Sequence, residues 1–251
     1  MKKYILALLV AFFVFQGATF AQNETKKTTK HKIEFTTKDN YILVGDLYIA
    51  DKVSTKPLVI LLHSFSLNSS VWIDTAQNLR AKGYNVLAMD IRGHGRSVYN
   101  EDMKLKSRFK FSQKEWAKLP TDVLQSIDYI KTHYTKINCK ELIIVGADIG
   151  ASAGILAGEK TNPQPKKFVL ISPQLNFKGL YLPVKTANLI NSDFLILVSS
   201  ADKTSIENTE KLTRFIQKTP QVKYYPLGGA GNQLLKVNSN AKEDIINFII
   251  N

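Results

Sequence analysis

The nine residues LIIVGADIG, numbered 142–150, decide the fold of this chain. A short apolar run at 142–145 ends abruptly in Gly146, and a stretch of small residues with helical character begins after Gly150. Glycine lets the backbone pass close to its neighbours, as a tight turn between a strand and a helix demands. The pattern therefore predicts a buried strand, a sharp turn and a helix, with the Asp148 side chain exposed at the apex of the turn.

Outward from this turn, short apolar runs alternate with helical patterns along the whole chain. Strands are predicted at 32–37, 41–49, 58–62, 84–89, 142–145, 168–171, 194–198 and 222–225, and helices at 72–82, 116–133, 151–159, 206–218 and 242–250. Such alternation is typical of a mostly parallel sheet with helices on both faces. The first two strands flank Asp39-Asn40, a pair suited to a tight turn, so the sheet should start with an antiparallel hairpin. One α/β domain is expected for 251 residues.

The N-terminal residues 1–21 have the features of a secretory signal peptide. Two lysines precede an apolar run at 4–15, and small residues lead to Ala21, the expected cleavage point. A retained membrane anchor is the alternative, but the run is shorter than the roughly 20 residues that a spanning helix needs. Residues 22–31 are polar and are predicted to be a flexible lead-in to a domain at 32–251. We therefore expect a secreted, bacterial periplasmic protein without a transmembrane segment.

The chain is strongly basic, with a formal net charge of +13. This charge favours weak contact with anionic surfaces. The lysines are mostly scattered, and few aromatic residues are interleaved with them, so no nucleic-acid site is predicted. The only cysteine, Cys139, excludes an intramolecular disulfide. Because the histidines lack the spacing of metal ligands, neither a metal nor another cofactor is expected.

Three further motifs occur in an order and at a spacing that are known together from one superfamily. LLHSF at 61–65 follows the third predicted strand, DIRGHGRS at 90–97 follows the fourth, and GGAGN at 228–232 follows the last. With the turn at 146–150, they resemble the α/β-hydrolase superfamily, in the branch of small esterases, lipases and serine-aminopeptidase-like proteins. The resemblance covers nearly everything from Ile33 onward. It implies an α/β-hydrolase fold with an eight-stranded sheet and an activity of ester or peptide hydrolysis.

The resemblance also implies which residues would bind a substrate's developing negative charge. LLHSF looks like the "HG" oxyanion loop of the superfamily and would place His63, Ser64 and Phe65 beside the turn, with Ser64 where glycine is usual. The backbone amide of Ile149 would be the second donor, because it follows the apex residue. These four residues are the candidate oxyanion or ligand-binding site.

The three catalytic positions implied by the resemblance do not carry a complete triad. Asp148 stands where the superfamily has its serine, Asp202 matches the position of the acid, and Asn232 replaces the histidine. Acyl transfer by such a triad needs a base that takes and returns a proton, which asparagine cannot do. No histidine follows the turn in the sequence. The chain is therefore expected to be a catalytically impaired member, a pseudoenzyme.

Two alternatives would retain chemistry at this turn. Asp148 could act as a nucleophile, as in the haloalkane dehalogenases and epoxide hydrolases of the superfamily, although those enzymes also use a histidine to activate water. His63 could stand in for that histidine. In the second alternative, GASAG at 150–154 is the serine motif, which moves the apex to Ser152 and into the predicted helix.

Two segments break the alternation, namely 98–113 and 174–191. Both follow strand ends, where ligand crevices form in open α/β sheets, so they are predicted to form the rim of a pocket. The ligand or substrate would be a small molecule that the sequence does not identify. A third functional alternative, a basic binding protein of the cell envelope, needs only the charge of the chain.

Overall fold

A computed structural model describes residues 30–251 of the chain. The predicted signal peptide and residues 22–29 of the lead-in lie outside the described residues. The strands are β1 (Lys30–Thr36), β2 (Ile42–Tyr48), β3 (Leu58–Leu62), β4 (Val86–Asp90), β5 (Leu142–Ala147), β6 (Lys167–Ile171), β7 (Asn176–Phe177), β8 (Leu180–Tyr181), β9 (Asp193–Ser199) and β10 (Gln221–Tyr225). The helices are α1 (Ile73–Ala81), α2 (Gln113–Trp116), α3 (Leu119–His133), α4 (Ile149–Gly158), α5 (Pro183–Ala187), α6 (Lys203–Thr213), α7 (Gln233–Val237) and α8 (Ser239–Ile250).

The main sheet has eight strands in the order β1-β2-β4-β3-β5-β6-β9-β10. β2 is antiparallel to both β1 and β4, and the remaining neighbours are parallel. The predicted fold, with its antiparallel N-terminal hairpin, is therefore confirmed. All six parallel strands end at the same edge of the sheet, called the carboxyl edge below, and the candidate site residues lie on loops that leave this edge.

Two apolar cores cover the two faces of the sheet, and successive side chains of β5 divide between them. Ile144 belongs to the core under α3, α4 and α6. Ile143 and Val145 belong to the core under α1, α7 and α8. A strand buried on both faces needs apolar residues at every position, which explains the uninterrupted apolar run at 142–145.

Several element boundaries differ from the sequence prediction. Trp116 is the last residue of the short α2, and the helix predicted at 116–133 starts only at Leu119 as α3, with Pro120 in its first turn. Proline lacks a backbone N–H and is tolerated there but not in a helix interior. β1 starts at Lys30, so the last two residues of the predicted lead-in belong to a strand. β7, β8, α5 and α7 were not predicted. No helix within residues 30–251 is long and apolar enough to cross a membrane.

Candidate active site

The turn between β5 and α4 has the shape of a nucleophile elbow. Asp148 adopts φ 53° and ψ −115°. Residues other than glycine rarely adopt this backbone conformation, and it persists only where the surrounding fold enforces it. A Cβ atom on Gly146 would approach the backbone nitrogen of Ala151 to 2.5 Å, and one on Gly150 would collide with the carbonyl oxygen of Leu62. The glycines predicted to shape this turn are therefore required by contacts with neighbouring backbone.

The carboxylate of Asp148 lies against the predicted oxyanion donors. Its Oδ2 accepts a hydrogen bond of 3.2 Å from the backbone N–H of Phe65. Its Oδ1 accepts a 2.7 Å hydrogen bond from Nε2 of Gln174. Burial raises the pKa of Asp148, and the negative charge of Asp202 raises it further. The backbone amides of Phe65 and Ile149 and the side chain of Gln174 lower it. A side chain of the protein thus lies at one of the two donors that the resemblance assigns to the substrate's oxyanion.

Asn232, which the resemblance places at the histidine position, is fully buried and belongs to the same network. Its Oδ1 accepts a 2.8 Å hydrogen bond from the backbone N–H of Ser64, while its Nδ2 has no partner among the described residues. The preceding Gly231 has φ 59°, and a Cβ atom there would lie 2.8 Å from Cβ of Ser64 and 3.4 Å from Cβ of Asp148. Asn232 therefore fixes the oxyanion loop and holds its own chain segment directly against the elbow.

Asp202, which the resemblance places at the position of the acid, caps a helix. Its Oδ1 accepts a 3.1 Å hydrogen bond from the backbone N–H of Ser205, and its Oδ2 accepts one of 2.5 Å from the hydroxyl of the same residue. Such a side chain satisfies a backbone donor that the first turn of α6 leaves free. Its capping bonds explain why α6 begins at Lys203, three residues before the predicted start.

His63 is fully buried and both of its ring nitrogens are engaged. Nε2 accepts a 3.0 Å hydrogen bond from the backbone N–H of Ile91. Nδ1 must then carry the proton and donate to the carbonyl oxygen of Ser64 at 2.8 Å. Burial, reinforced by the neighbouring His94, lowers the pKa of His63 to about 3. The imidazole therefore stays neutral near neutral pH and holds the oxyanion loop to the loop after β4.

The ring of Phe65 is the centre of an aromatic cluster beside the elbow. Its centroid lies 6.0 Å from Phe109, 5.8 Å from Trp116 and 5.7 Å from Phe177. Phe109 belongs to the predicted rim segment 98–113, and Phe177 belongs to 174–191, as does Gln174. The structure therefore brings a ring from each predicted rim segment against Phe65 of the oxyanion loop, and Gln174 of the second segment reaches Asp148.

Buried ion pairs hold the loop at 90–97. Arg92 is 2% exposed and donates to Asp122 at 2.6 Å through Nε and to Asp39 at 2.9 and 3.0 Å. The carboxylate of Asp90 accepts a 2.7 Å hydrogen bond from Nε of Arg96. These contacts give the motif DIRGHGRS a structural role, because its charged side chains all bind one another or residues of neighbouring elements.

Ser152, the apex of the alternative serine motif, is buried within α4. The apex of the turn is Asp148, so the alternative register is wrong. Sequence reasoning missed the hydrogen bond from Gln174 to Asp148 and the close approach of Gly231 to the elbow. Gln174 stands three residues beyond the end of the predicted strand 168–171 and begins the predicted rim segment 174–191, but no motif marks it individually.

The eight-stranded sheet, the strained elbow and the oxyanion loop together define an α/β hydrolase fold. A family model described as serine aminopeptidase, S33, matches residues 53–244. The chain belongs to this family.

Solved structures of low sequence identity share the fold. A hydrolase from Pseudomonas aeruginosa PA01 is 14% identical, with 87% of this chain and 98% of that chain covered and a TM-score of 0.67. For a thermostable carboxyl esterase from Bacillus coagulans the identity is 11%, the coverage 88% and 98%, and the TM-score 0.69. For the enol-lactonase from Burkholderia xenovorans the identity is 12%, the coverage 87% and 100%, and the TM-score 0.67. No curated protein sequence matches the chain.

Proposed function

We propose that this protein is an exported α/β-hydrolase-like protein whose hydrolytic activity is impaired and whose domain is retained for binding. One observation carries the proposal: the Asp148 carboxylate already accepts a 3.2 Å hydrogen bond from the backbone N–H of Phe65, one of the two candidate oxyanion donors. A tetrahedral intermediate would have to displace this carboxylate or develop negative charge beside it. Loss of a single oxyanion donor typically lowers kcat by about 10²- to 10³-fold, and here the Phe65 donor is already occupied.

The proton relay is the second support. Asn232 has no group that accepts and returns a proton, and its Oδ1 already accepts from Ser64. Both ring nitrogens of His63 are engaged with backbone groups, so that histidine is a poor substitute. Asp202 binds Ser205 and has no histidine to orient. Each catalytic position therefore has a structural partner in place of a catalytic one.

A competing function, with Asp148 as a nucleophile attacking carbon, has one feature in its favour, the strained position at the apex of the elbow. Against it, each carboxylate oxygen accepts a hydrogen bond, one from Phe65 and one from Gln174. After incubation with an alkyl halide or an epoxide, we expect the intact mass of the protein to be unchanged. An added alkyl group that maps to Asp148 would contradict the proposal.

Ester hydrolysis tests the proposal directly. The chain from residue 22 onward, which keeps every described strand and helix, would be assayed on short-chain chromogenic acyl esters next to Asp148→Ala. We expect equal rates, at the level of the buffer, for both proteins. Hydrolysis by the unaltered chain that disappears in Asp148→Ala would refute impairment. The double variant Asp148→Ser with Asn232→His is the matched gain-of-function control, because it installs both missing residue types on the same backbone.

Export is the part of the proposal that depends on the sequence pattern at residues 1–21 alone. Expression of the full chain in a bacterium, followed by osmotic shock and N-terminal sequencing, should recover a periplasmic protein that begins at Gln22. A cytoplasmic protein with an intact N-terminus would exclude both the signal peptide and the periplasmic location.

A further inference from the structure

A hairpin-like loop projects from the carboxyl edge of the sheet at residues 98–110, and it is named the basic hairpin here. Tyr99 and Leu105 form an antiparallel bridge across it. The backbone N–H of Lys106 donates to the carbonyl oxygen of Val98 at 2.7 Å. Cross-strand hydrogen bonds of this kind fix the backbone, so the side chains of the basic hairpin are presented by a defined scaffold.

The basic hairpin exposes large apolar side chains to solvent. Met103, Leu105 and Phe109 are 65%, 67% and 74% exposed, and Tyr99 is 39% exposed. Because Tyr99 and Leu105 stand directly opposite each other, their side chains lie on the same side of the loop. Exposed apolar residues that occur singly are ordinary on a protein surface, whereas several on one short loop indicate an interaction site.

Cationic residues alternate with these apolar residues along the chain. They are Lys104, Lys106, Arg108 and Lys110. The guanidinium of Arg108 lies 4.5 Å above the ring of Phe109, so a cation and an exposed aromatic side chain are held side by side. Two carboxylates, Glu101 and Asp102, share the basic hairpin, and Asp102 binds Lys104 at 3.4 Å. The four cations outnumber the two acids and leave the basic hairpin positive.

We propose that the basic hairpin docks this protein onto the surface of an anionic phospholipid bilayer. The apolar side chains would enter the boundary between headgroups and acyl chains, and the cations would remain at the level of the lipid phosphates. A purely anionic polymer would use the cations but give no gain for the exposed Met103, Leu105 and Phe109. The interleaving of both residue types therefore favours a lipid surface over a polyanion, and this docking is independent of chemistry at Asp148.

Vesicle sedimentation tests the proposal with the chain from residue 22 onward, which retains the whole described fold and lacks the apolar run at 4–15. Binding to phosphatidylcholine vesicles that contain phosphatidylglycerol would be measured at physiological salt. We expect binding that pure phosphatidylcholine does not support. One cation near an anionic membrane strengthens membrane binding about fivefold. The double variant Lys104→Ala with Lys110→Ala removes two cations and should therefore weaken vesicle binding about 25-fold.

Two further variants separate lipid docking from general electrostatics. The matched control Lys52→Ala with Lys136→Ala removes two exposed lysines at the opposite edge of the sheet and should change binding by less than about twofold, because salt screens distant charges. The triple variant Met103→Ser, Leu105→Ser and Phe109→Ser keeps the charge but should weaken binding by about tenfold or more. Thermal melting of each variant verifies that the fold is kept.

Several outcomes would overturn the proposal. Absence of binding to anionic vesicles by the unaltered chain would do so. If the two double-lysine variants lost vesicle binding equally, binding would depend only on the net charge of the protein and not on the basic hairpin. Full vesicle binding by the triple variant, together with equally tight binding of a soluble polyanion such as heparin, would identify a polyanion-binding surface in place of a lipid-docking one.

Discussion

Acidification should destabilise this protein through the buried His63. Its pKa is lowered to about 3 in the fold, against about 6.5 in an unfolded chain. Between these two values the unfolded state binds more protons than the folded state, so the free energy of unfolding rises with pH and falls on acidification. For this one group the loss is about 2 kcal/mol at pH 5 and about 3 kcal/mol at pH 4, and it is absent above about pH 7.

Urea unfolding measured at intervals from pH 7.5 to pH 4 would reveal this contribution. Carboxylates also titrate towards pH 4, so the quantity of interest is the difference in slope between the unaltered chain and His63→Gln. The glutamine cannot titrate, and its side-chain oxygen can still accept from the backbone N–H of Ile91. The matched control is His31→Gln, which removes an exposed histidine of β1 and should leave the slope as it is.

We expect His63→Gln to be less stable at pH 7.5 but to lose less stability than the unaltered chain as the pH falls to 5, by about 2 kcal/mol. Parallel pH profiles for the two proteins would mean that His63 titrates normally in the fold. In that case the neutral, doubly hydrogen-bonded imidazole, and with it the exclusion of His63 as a base, would be refuted.

Urea unfolding of three substituted proteins tests the contacts that Asn232, Gly231 and Arg92 make with the oxyanion loop and with Asp122. Asn232→Ala should lower the free energy of unfolding by about 1 to 3 kcal/mol, because the buried N–H of Ser64 loses its acceptor; an unchanged midpoint would contradict that role. Gly231→Ala should cost about 1 to 3 kcal/mol, since alanine disfavours φ 59° and its Cβ would crowd Ser64. Arg92→Met should cost about 3 to 5 kcal/mol by leaving Asp122 buried and unpaired; a loss below about 1 kcal/mol would show that the ion pair contributes little.

The elements that were predictable from the sequence are those fixed by short-range sterics and by burial. The run 142–145, with Gly146 and Gly150, predicts its strand and turn because a strand covered on both faces must be apolar and because the elbow has room only for glycine. The hairpin at Asp39-Asn40 was predictable for a similar reason, and Asn40 does adopt a positive φ of 60°.

The contacts that give the candidate site its character were not predictable, because they join distant parts of the chain. Asn232 could be placed from its motif, yet its partner, the N–H of Ser64, is 168 residues away. Gln174 begins an irregular segment whose path depends on packing against Phe65 and its neighbours, so no local pattern marks it as the donor to Asp148. Pro120 could have warned of the break between α2 and α3, since it cannot lie in a helix interior.

The glycines of the elbow have a consequence for how selection acts on such a chain. Gly146 and Gly150 are required because a Cβ atom at either position would collide with backbone, whatever side chain stands between them. Selection for a correctly folded sheet is therefore sufficient to preserve the outline of a hydrolase motif over evolutionary time, even where hydrolysis itself brings no advantage. The glycine pattern of such a motif therefore reports on the backbone of the turn, whereas the side chains at 148 and 232 determine which chemistry the site can perform.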